Sequence, residues 1–519
     1  KSPALALAAI AVAALLALVF ILKPDDGQPT AKSSAPANEP ATATQPETKP
    51  LDKNRIVILP FKNIGTPGEN DHIVEGIVDD LNTMLTNVDG LRVIGSASAK
   101  TYRDSNKTPA EIGHELNAGT LLQGSIQKTG TDLKINVRLI DTTTSENIWA
   151  NSFSGNETDR SKFQQEIIQS IVNKTKGTLL NQSELGSLTQ DDTKNVEAYS
   201  LVKRGLELID VHSRETNQEA TTLFLKAIDL DPNYVDAYAG LAASYIRSSS
   251  VSLDSPLKSF PLAKKYIDEA LRINPNHLKS QLSKLSIMSY HDWDIEETVE
   301  HAKKLLDQYP NNLSVLGSTG EIFSFTGKKE LAITFLRKAL ESDPKSSWLH
   351  QHLAYAYLAS GNKKLAELHN LRALEITPNF QFALHIRSLL LSKQKRFDEI
   401  ERQLLKAIDD DDQNPVTVMS LGIVYWRSGK TEESYKLLAD LLDRRNFEYI
   451  KSGILTRFYM AIGEKQKAYK WLKQSRDEKD IDFINLFYWP LYDSVRNEPE
   501  FIQIYKDAGV YEYLLEKDL

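Results

Sequence analysis

Residues 347–380 read SWLHQHLAYAYLASGNKKLAELHNLRALEITPNF, and this stretch decides the fold of most of the chain. Two apolar segments flank Gly361, and glycine is the residue best suited to the tight turn that ends a helix. Ala366 and Ala373 are small enough for two antiparallel helices to approach closely, and Pro378 stops the second helix. The stretch therefore predicts a helical hairpin.

The same pattern recurs at a fixed interval along the chain. Turn glycines lie 34, 68 and 34 residues apart at Gly327, Gly361, Gly429 and Gly463, with Lys395 at the skipped position. Six units start in register at positions 279, 313, 347, 381, 415 and 449. Two more lie upstream, and in the second of these the turn is widened by residues 248–261. We therefore predict about eight repeats over residues 198–482, an all-α superhelical solenoid.

This spacing of small residues, turn glycine and helix-ending proline resembles the tetratricopeptide-repeat family. The resemblance implies a curved array of helix pairs that binds protein or peptide partners in its concave groove. Residues 483–519 lack the repeat spacing, and we predict that they form terminal capping helices over the last exposed helix face.

The first helix of each repeat builds the concave wall of such an array. Positions 2, 5, 9 and 12 of a repeat tend to face the groove, and aromatic, Met and Arg side chains there are typical of protein interfaces. We predict a partner-binding groove lined by Trp348, Gln351, Tyr355, Phe382, His385, Met419, Ile423, Trp426, Arg457 and Met460. The spacing leaves two alternatives open: these side chains pack between repeats, or the chain's own linker fills the groove.

Residues 54–185 change to a mixed pattern. A short apolar strand at 55–61 precedes a helix with an apolar stripe, and Thr108, Pro109 and Glu111 form a helix-start signal. Alternating residues at 121–128 and 133–141 predict a hairpin. The expected order is β-α-β-α-β-β-β-α, a small α+β domain ahead of the solenoid.

Several short motifs of this domain resemble the TolB-like amino-terminal domain of bacterial envelope proteins. They are Ile56-Val-Ile-Leu-Pro-Phe61, Glu75-Gly76-Ile77, Leu91-Arg-Val-Ile94, Leu122-Gln-Gly-Ser125, and Arg138-Leu-Ile-Asp141 with Trp149. The resemblance implies a non-enzymatic module that is usually periplasmic. Apolar strands, turn glycines and a buried Trp explain the same residues without any function.

The amino-terminal residues predict a membrane anchor. Residues 4–22 are uninterrupted and apolar, and at about 1.5 Å per residue they span roughly the hydrocarbon thickness of a bilayer. The alternative, a cleaved signal peptide, normally has a shorter apolar run. Residues 23–53 are rich in Pro and Ala and predict a disordered linker.

Composition excludes several classes of function. A net charge of −8 without clustered Lys and Arg argues against a nucleic-acid contact, and the absence of cysteine excludes disulfides and thiolate chemistry. We find no phosphate loop, zinc-protease, nucleophile-elbow or dinucleotide motif. We therefore expect no catalytic residues, no metal, no cofactor and no enzyme activity.

The combined order is similar to the periplasmic half of ToxR/CadC-like membrane-bound winged-helix transcription regulators. The chain begins with Lys1, which is compatible with a DNA-binding domain upstream. This resemblance implies a single-pass inner-membrane protein whose carboxyl-terminal domains are periplasmic and sense a partner. The back half of membrane-bound class III nucleotide cyclases is similar too, and an envelope scaffold is the third alternative. The oligomeric state stays open, a homodimer included.

Overall fold

The structure is a computed structural model that describes residues 51–66, 68, 70–188, 193–209, 214–250, 252–410 and 413–515. The predicted membrane helix at 4–22 and most of the linker at 23–53 lie outside the described residues. No helix of the described part is long and apolar enough to cross a membrane. Asp52 and Lys53, assigned to the linker, instead begin the first strand, because Asp52 pairs with Ala118.

The amino-terminal domain is a mixed sheet with helices on both faces. Its strands are β1 (Asp52–Ile58), β2 (Lys62–Asn63), β3 (Arg92–Val93), β4 (Ala118–Thr129), β5 (Asp132–Asp141) and β6 (Asn147–Asn156). Its helices are α1 (Asp71–Thr86), α2 (Ser96–Lys100), α3 (Pro109–Leu116), α4 (Arg160–Lys176) and α5 (Gln182–Leu188). The strand order is β3-β1-β4-β5-β6, with β2 also paired to β4. The pairs β1–β3, β1–β4 and β2–β4 are parallel, whereas β4–β5 and β5–β6 are antiparallel.

Successive apolar side chains of the strands point to opposite faces of the sheet, and both faces pack against helices. Ile56 and Ile58 of β1 pack with helices α1 and α4, whereas Val57 packs with α2 and α3 on the opposite face. The helix start predicted at Thr108 is confirmed, because its side chain accepts from the Glu111 amide at 3.3 Å and its own amide donates to Glu111 Oε2 at 2.7 Å. A small α/β domain therefore precedes the helical array.

Sixteen helices between residues 196 and 477 form the array, in eight successive pairs. They are α6 (Val196–Ile209), α7 (Arg214–Leu230), α8 (Val235–Ser250), α9 (Pro256–Ile273), α10 (Leu278–Ile287), α11 (Ile295–Gln308), α12 (Leu313–Phe325), α13 (Lys329–Ser342), α14 (Ser347–Ala359), α15 (Lys363–Ile376), α16 (Gln381–Lys393), α17 (Phe397–Asp410), α18 (Pro415–Ser428), α19 (Thr431–Arg444), α20 (Ser452–Ala461) and α21 (Lys465–Asp477). The widened turn predicted at 248–261 is shorter than expected, since α9 already begins at Pro256 and includes Pro261. Burial of Phe260 and Ala263 against the array favours the helix there.

The turn positions of the repeat behave as their spacing predicts. Gly327, Gly361, Gly429 and Gly463 have φ angles of 78°, 84°, 89° and 83°. Lys395, at the skipped position, takes the same left-handed conformation with φ 59°. This conformation is sterically unfavourable for a residue other than glycine. Lys395 adopts it because the two helices on either side of the turn require it.

The α/β domain contacts the array at the first repeat, at the start of α12, where Asn312 Nδ2 donates to Asn87 Oδ1 at 3.3 Å, and at the turn between α13 and α14. At the first repeat, Asp80 of α1 accepts hydrogen bonds from Lys203 Nζ at 2.5 Å and from the Tyr199 hydroxyl at 2.8 Å. At the turn between α13 and α14, buried Asp343 accepts from the Ser98 amide at 2.8 Å. The amide of Gly95 donates to the carbonyl of Ser342 at 2.9 Å. The domain therefore spans from the first repeat to the turn after α13.

The C-terminal segment, residues 480–515, differs from the predicted cap. Its helices are α22 (Phe483–Leu486), α23 (Pro499–Asp507) and α24 (Tyr511–Leu515). It does contact the last repeat, since Lys473 of α21 pairs with Glu500 at 2.8 Å. It also reaches the concave side, where Trp489 stacks on Tyr355 with ring centroids 4.9 Å apart. The segment therefore covers the last repeat and in addition contacts the concave side of the array.

Candidate functional site

A cavity of about 790 Å³ lies on the concave side of the repeats. Helices α14 and α16 supply nine of its lining residues, helices α8, α12, α18 and α20 contribute others, and the C-terminal segment closes one side. A second cavity, between β1, α1 and α2, has about 20 Å³ and is large enough for about one water molecule. We therefore take the concave cavity as the candidate site.

The structure places six of the ten predicted groove residues in the wall of this cavity. They are Trp348, Gln351, Tyr355, Phe382, His385 and Arg457. Position 2 of the repeat contributes Trp348 and Phe382, and position 9 contributes Tyr355 and Arg457, so the repeat register does select one face. Whether these side chains bind a partner stays a prediction.

The other four predicted residues do not line the cavity. Met419 and Ile423 are buried in a cluster with Phe458 and other side chains of neighbouring helices. Trp426 packs edge-on against Tyr435 at 5.9 Å, and Met460 is half-buried between two core clusters. For these four the alternative of packing between repeats describes the structure better.

Among the polar lining residues that were not predicted from the sequence are Arg247, Tyr290, Glu321, Lys451 and Asp482. Glu321 stands at position 9 of the unit that starts at 313, so the repeat register identifies it once earlier units are included. Trp489 also lines the cavity, and like Asp482 it belongs to the C-terminal segment. The repeat spacing does not extend into that segment and therefore does not predict its position.

The C-terminal segment is fixed in the cavity by aromatic stacking and by ion pairs. Trp489 stacks on Tyr355 at 4.9 Å and on His385 at 5.4 Å. The Tyr355 hydroxyl donates to Asn485 Oδ1. Asp482 pairs with Arg457 at 2.9 Å and with Lys451 at 3.3 Å.

Lys451 also closes the array on itself. Its ammonium donates to the carbonyl oxygen of Ser250 at 3.2 Å, which joins the start of the eighth repeat to the end of α8 in the second. The side chain is only 1% exposed. This contact bounds the concave cavity between the second and eighth repeats, and the resulting chamber stays partly open to solvent.

Burial sets the protonation of the cavity wall. It lowers the pKa of His352 to about 3 and, with Arg457 and Arg427 nearby, that of His385 to about 3, so both rings are neutral at physiological pH. Burial raises the pKa of Glu321 to about 7, although a Tyr290 hydrogen bond and Arg247 act in the opposite direction.

The carboxylates at the closed side differ from Glu321. Burial alone would raise the pKa of Asp482, but Arg457 and Lys451 outweigh it and hold that pKa below its usual range. Burial, followed by repulsion from Asp482, raises the pKa of the neighbouring Asp480. Lys451 and Arg457 therefore face the ionised carboxylate of Asp482, with the buried carboxyl group of Asp480 beside it.

Within the described residues, no three metal-ligating side chains of His, Asp or Glu form a group that can hold a metal ion. The residues present supply cations, aromatic faces and neutral histidines. Such a wall can bind and orient a ligand.

Comparisons with known proteins agree with this architecture. A family profile described as "HilA/YgeH-like transcriptional regulator, second domain" matches residues 52–170, and a tetratricopeptide-repeat profile matches residues 314–346. The chain is 28% identical over 203 residues to a Rhizobium meliloti (strain 1021) protein named "Putative adenylate cyclase 3", which covers 39% of this chain and 34% of that protein. Human interferon-induced protein with tetratricopeptide repeats 2 is 28% identical over 165 residues, covering 30% of this chain and 32% of the relative.

The chain thus spans about a third of the length of these relatives. Among solved structures, a human IFIT1 dimer with m7Gppp-AAAA aligns with a TM-score of 0.42 at 16% identity over 69% of this chain and 86% of that one. A tetratricopeptide repeat protein from Parabacteroides merdae aligns with a TM-score of 0.33 at 14% identity over 49% of this chain and 98% of that one.

The comparisons confirm the resemblance of the chain to tetratricopeptide-repeat proteins joined to a regulator-like or cyclase-like module. The likeness of the α/β domain to the TolB-like domain stays a prediction.

Proposed function

We propose that this chain is the non-enzymatic sensory and interaction region of a membrane-anchored signalling protein. Its repeat array binds a protein or peptide partner on the concave side, where Trp348, Gln351 and Phe382 surround the cavity. The observation that carries the proposal is the pairing of a tetratricopeptide array with a domain similar to the second domain of HilA/YgeH-like regulators.

The profile at residues 52–170 favours a transcription regulator over the two alternatives. In this proposal a DNA-binding domain lies upstream, the apolar residues 4–22 span the inner membrane, and the described domains lie in the periplasm. The match to the Rhizobium meliloti protein supports a second candidate, the periplasmic half of a nucleotide cyclase. Reading the gene upstream of Lys1 distinguishes the alternatives. A winged helix there supports the transcription regulator, a cyclase domain supports the nucleotide cyclase, and an initiator Met within a few residues supports the envelope scaffold.

Photo-crosslinking tests the partner site in the full chain. Benzoylphenylalanine at Trp348 replaces one large aromatic side chain in the cavity wall by another, and benzoylphenylalanine at Phe447, which is 92% exposed away from the cavity, is the control. We expect one discrete crosslinked protein band from the Trp348 position in native membranes and none at the same size from Phe447. Identical bands from both positions, or bands from neither, contradict a concave partner site.

Cysteine labelling tests the orientation, since the chain has no cysteine of its own. A single Cys at the exposed Phe447 position is treated in intact cells with a maleimide that crosses the outer but not the inner membrane. Labelling in intact cells is expected for a periplasmic array. Labelling only after the inner membrane is opened places the array in the cytoplasm and contradicts the sensory proposal.

A further inference from the structure

The concave chamber has the size and chemistry of a small-molecule site. Its volume of about 790 Å³ falls within the range of ligand pockets, about 300–1,000 Å³. Aromatic rings from three sources meet there: Trp348 and Tyr355 of α14, Phe382 of α16 and Trp489 of the C-terminal segment. Flat apolar groups pack well against such faces.

Several buried polar atoms of the wall residues make no hydrogen bond to any part of the chain that the structure describes. Among them are Nε1 of Trp489 and Nε2 of His385, on side chains that are 6% and 4% exposed. Buried polar groups are normally hydrogen-bonded, and leaving one unpaired costs about 1–3 kcal/mol. Because their side chains lie in the wall of a large cavity, we infer that a bound molecule supplies the missing hydrogen-bond partners.

The hydrogen bonds around His385 define which of its nitrogens is an acceptor. The Ser420 hydroxyl donates to the carbonyl of Val416 at 2.7 Å, so its oxygen accepts from His385 Nδ1 at 2.9 Å. The neutral ring then carries its proton on Nδ1, and Nε2 presents a lone pair. The cavity therefore offers one free acceptor at His385 and one free donor at Trp489.

The charges of the wall favour an anion. Arg247, Lys451 and Arg457 line the cavity, whereas its carboxyl groups are Asp482 and Glu321, and burial raises the pKa of Glu321 to about 7. A carboxylate ligand can accept from Lys451 or Arg457 in a water-poor site, where such charge-assisted bonds are strong.

We propose that the chamber binds a small aromatic carboxylate that carries its own N–H or O–H donor. The ring packs among Trp348, Tyr355 and Trp489, the carboxylate faces Lys451 and Arg457, and the donor reaches His385 Nε2. This ligand goes beyond the protein or peptide partner proposed above, and because both contact Trp348 they compete for the cavity. Because the small ligand touches both the repeats and the C-terminal segment, it holds that segment in place.

Calorimetric titration of the full chain in lipid nanodiscs tests the proposal, with empty nanodiscs subtracted. The probes are indole-3-acetate, its neutral amide and tryptamine, which share one ring and differ in charge. We expect one saturable site for the acid, with affinity at least about tenfold above that of the amide, as a charge-assisted hydrogen bond supplies. Tryptamine should not bind. An acid that does not saturate, or an amide or amine that binds equally well, overturns the proposal.

Matched variants separate the site from general stability. Lys451→Met should weaken acid binding about tenfold or more, whereas Lys203→Met, which breaks a similarly buried Lys–Asp pair at α6, should leave it unchanged. Trp348 is only partly buried, so Trp348→Leu should keep the fold and still weaken binding several-fold. Equal losses for Lys451→Met and Lys203→Met, or unchanged binding in Trp348→Leu, contradict a ligand in this chamber.

Hydrogen exchange supplies an independent readout of the same site. Indole-3-acetate should slow amide exchange in residues 480–515 and leave residues 118–156 of the sheet unchanged. Slowing throughout the chain, or no slowing of the C-terminal segment, contradicts a ligand held between that segment and the repeats.

Discussion

Glu321 is a carboxyl group placed where its charge is disfavoured. It lies in the cavity wall, its side chain is 21% exposed, and burial raises its pKa to about 7. A raised pKa means that the folded chain holds this proton more tightly than the unfolded chain does. The folded state therefore loses stability from this group as the pH rises from about 4.5 to 7.

Replacing this carboxyl by an amide should change how stability depends on pH. We expect Glu321→Gln to raise the free energy of unfolding relative to the parent by about 2–3 kcal/mol more at pH 8 than at pH 4.5, because glutamine stays neutral. Urea unfolding at both pH values measures this difference. Glu300→Gln, at an exposed position of α11, is the control, and an equal pH effect in both variants contradicts the assignment.

The residues of the site were predictable only in part. Repeat register selects Trp348, Tyr355 and Arg457, because a helix presents the same face every turn and the turns recur at a fixed interval. The same register also selects Met419, which is buried between helices. Side chains at one helical position face the groove or a neighbouring helix according to the local curvature, which sequence spacing does not encode.

At the scale of elements, the C-terminal segment contacts the turns of the repeats. A Cβ at Gly327 would lie 2.2 Å from Cζ of Tyr488, whereas at Gly361, in the equivalent turn of the next repeat, it would meet nothing within 4 Å. Both glycines have nearly the same positive φ. Comparing substitutions at Gly327 and Gly361 therefore distinguishes the cost of backbone strain from the cost of disturbing the contact with the C-terminal segment.

Gly361→Ala should cost about 1–2 kcal/mol of stability through its left-handed backbone alone. Gly327→Ala should cost about 1–3 kcal/mol more, because the new methyl group overlaps the Tyr488 ring. Denaturant unfolding of each variant measures the excess, and repeating Gly327→Ala in a Tyr488→Ala background should remove it. An excess that persists in that background shows that the segment lies elsewhere.

The sequence predicts the individual helices and strands more accurately than it predicts how they pack together. The alternation of Leu133, Ile135, Val137 and Leu139 correctly predicts the buried face of β5, since these four residues are at most 4% exposed. The position of Trp489 in the concave cavity leaves no periodic signal, because the C-terminal segment does not follow the repeat spacing. The alternative that the chain's own linker fills the groove concerns residues that lie mostly outside the described part of the chain, and it stays a prediction.

At the scale of the whole molecule, one polar contact links regions far apart in sequence. Asp343 accepts hydrogen bonds from the amide and, at 2.5 Å, the hydroxyl of Ser98, 245 residues away. The missing side chain of Gly95 permits this approach, because a Cβ there would lie 2.4 Å from Cγ of Asp343. Single polar residues at such separation have no pattern from which the docking of the α/β domain can be predicted.

Asp343→Ala should loosen this docking while leaving both domains folded. The Ser98 amide and hydroxyl lose their partner inside the contact, a loss of about 1–3 kcal/mol. Hydrogen-exchange mass spectrometry of the full chain should show faster exchange at residues 95–102. Thr377→Ala, at the same position of the next repeat and bonded to Ser347 within its own repeat, should not change exchange there. Unchanged protection in Asp343→Ala would mean that the contact contributes little to docking.

The bond from Lys451 to the Ser250 carbonyl has a mechanical consequence for the array. An open repeat protein under tension peels one hairpin at a time from its end, because each hairpin adheres only to its neighbours. Here the loop that begins the last hairpin is also bonded to the second repeat, so detaching that hairpin breaks a contact beyond its nearest neighbour. We therefore expect the last hairpin to detach less readily than a hairpin held by its neighbour alone.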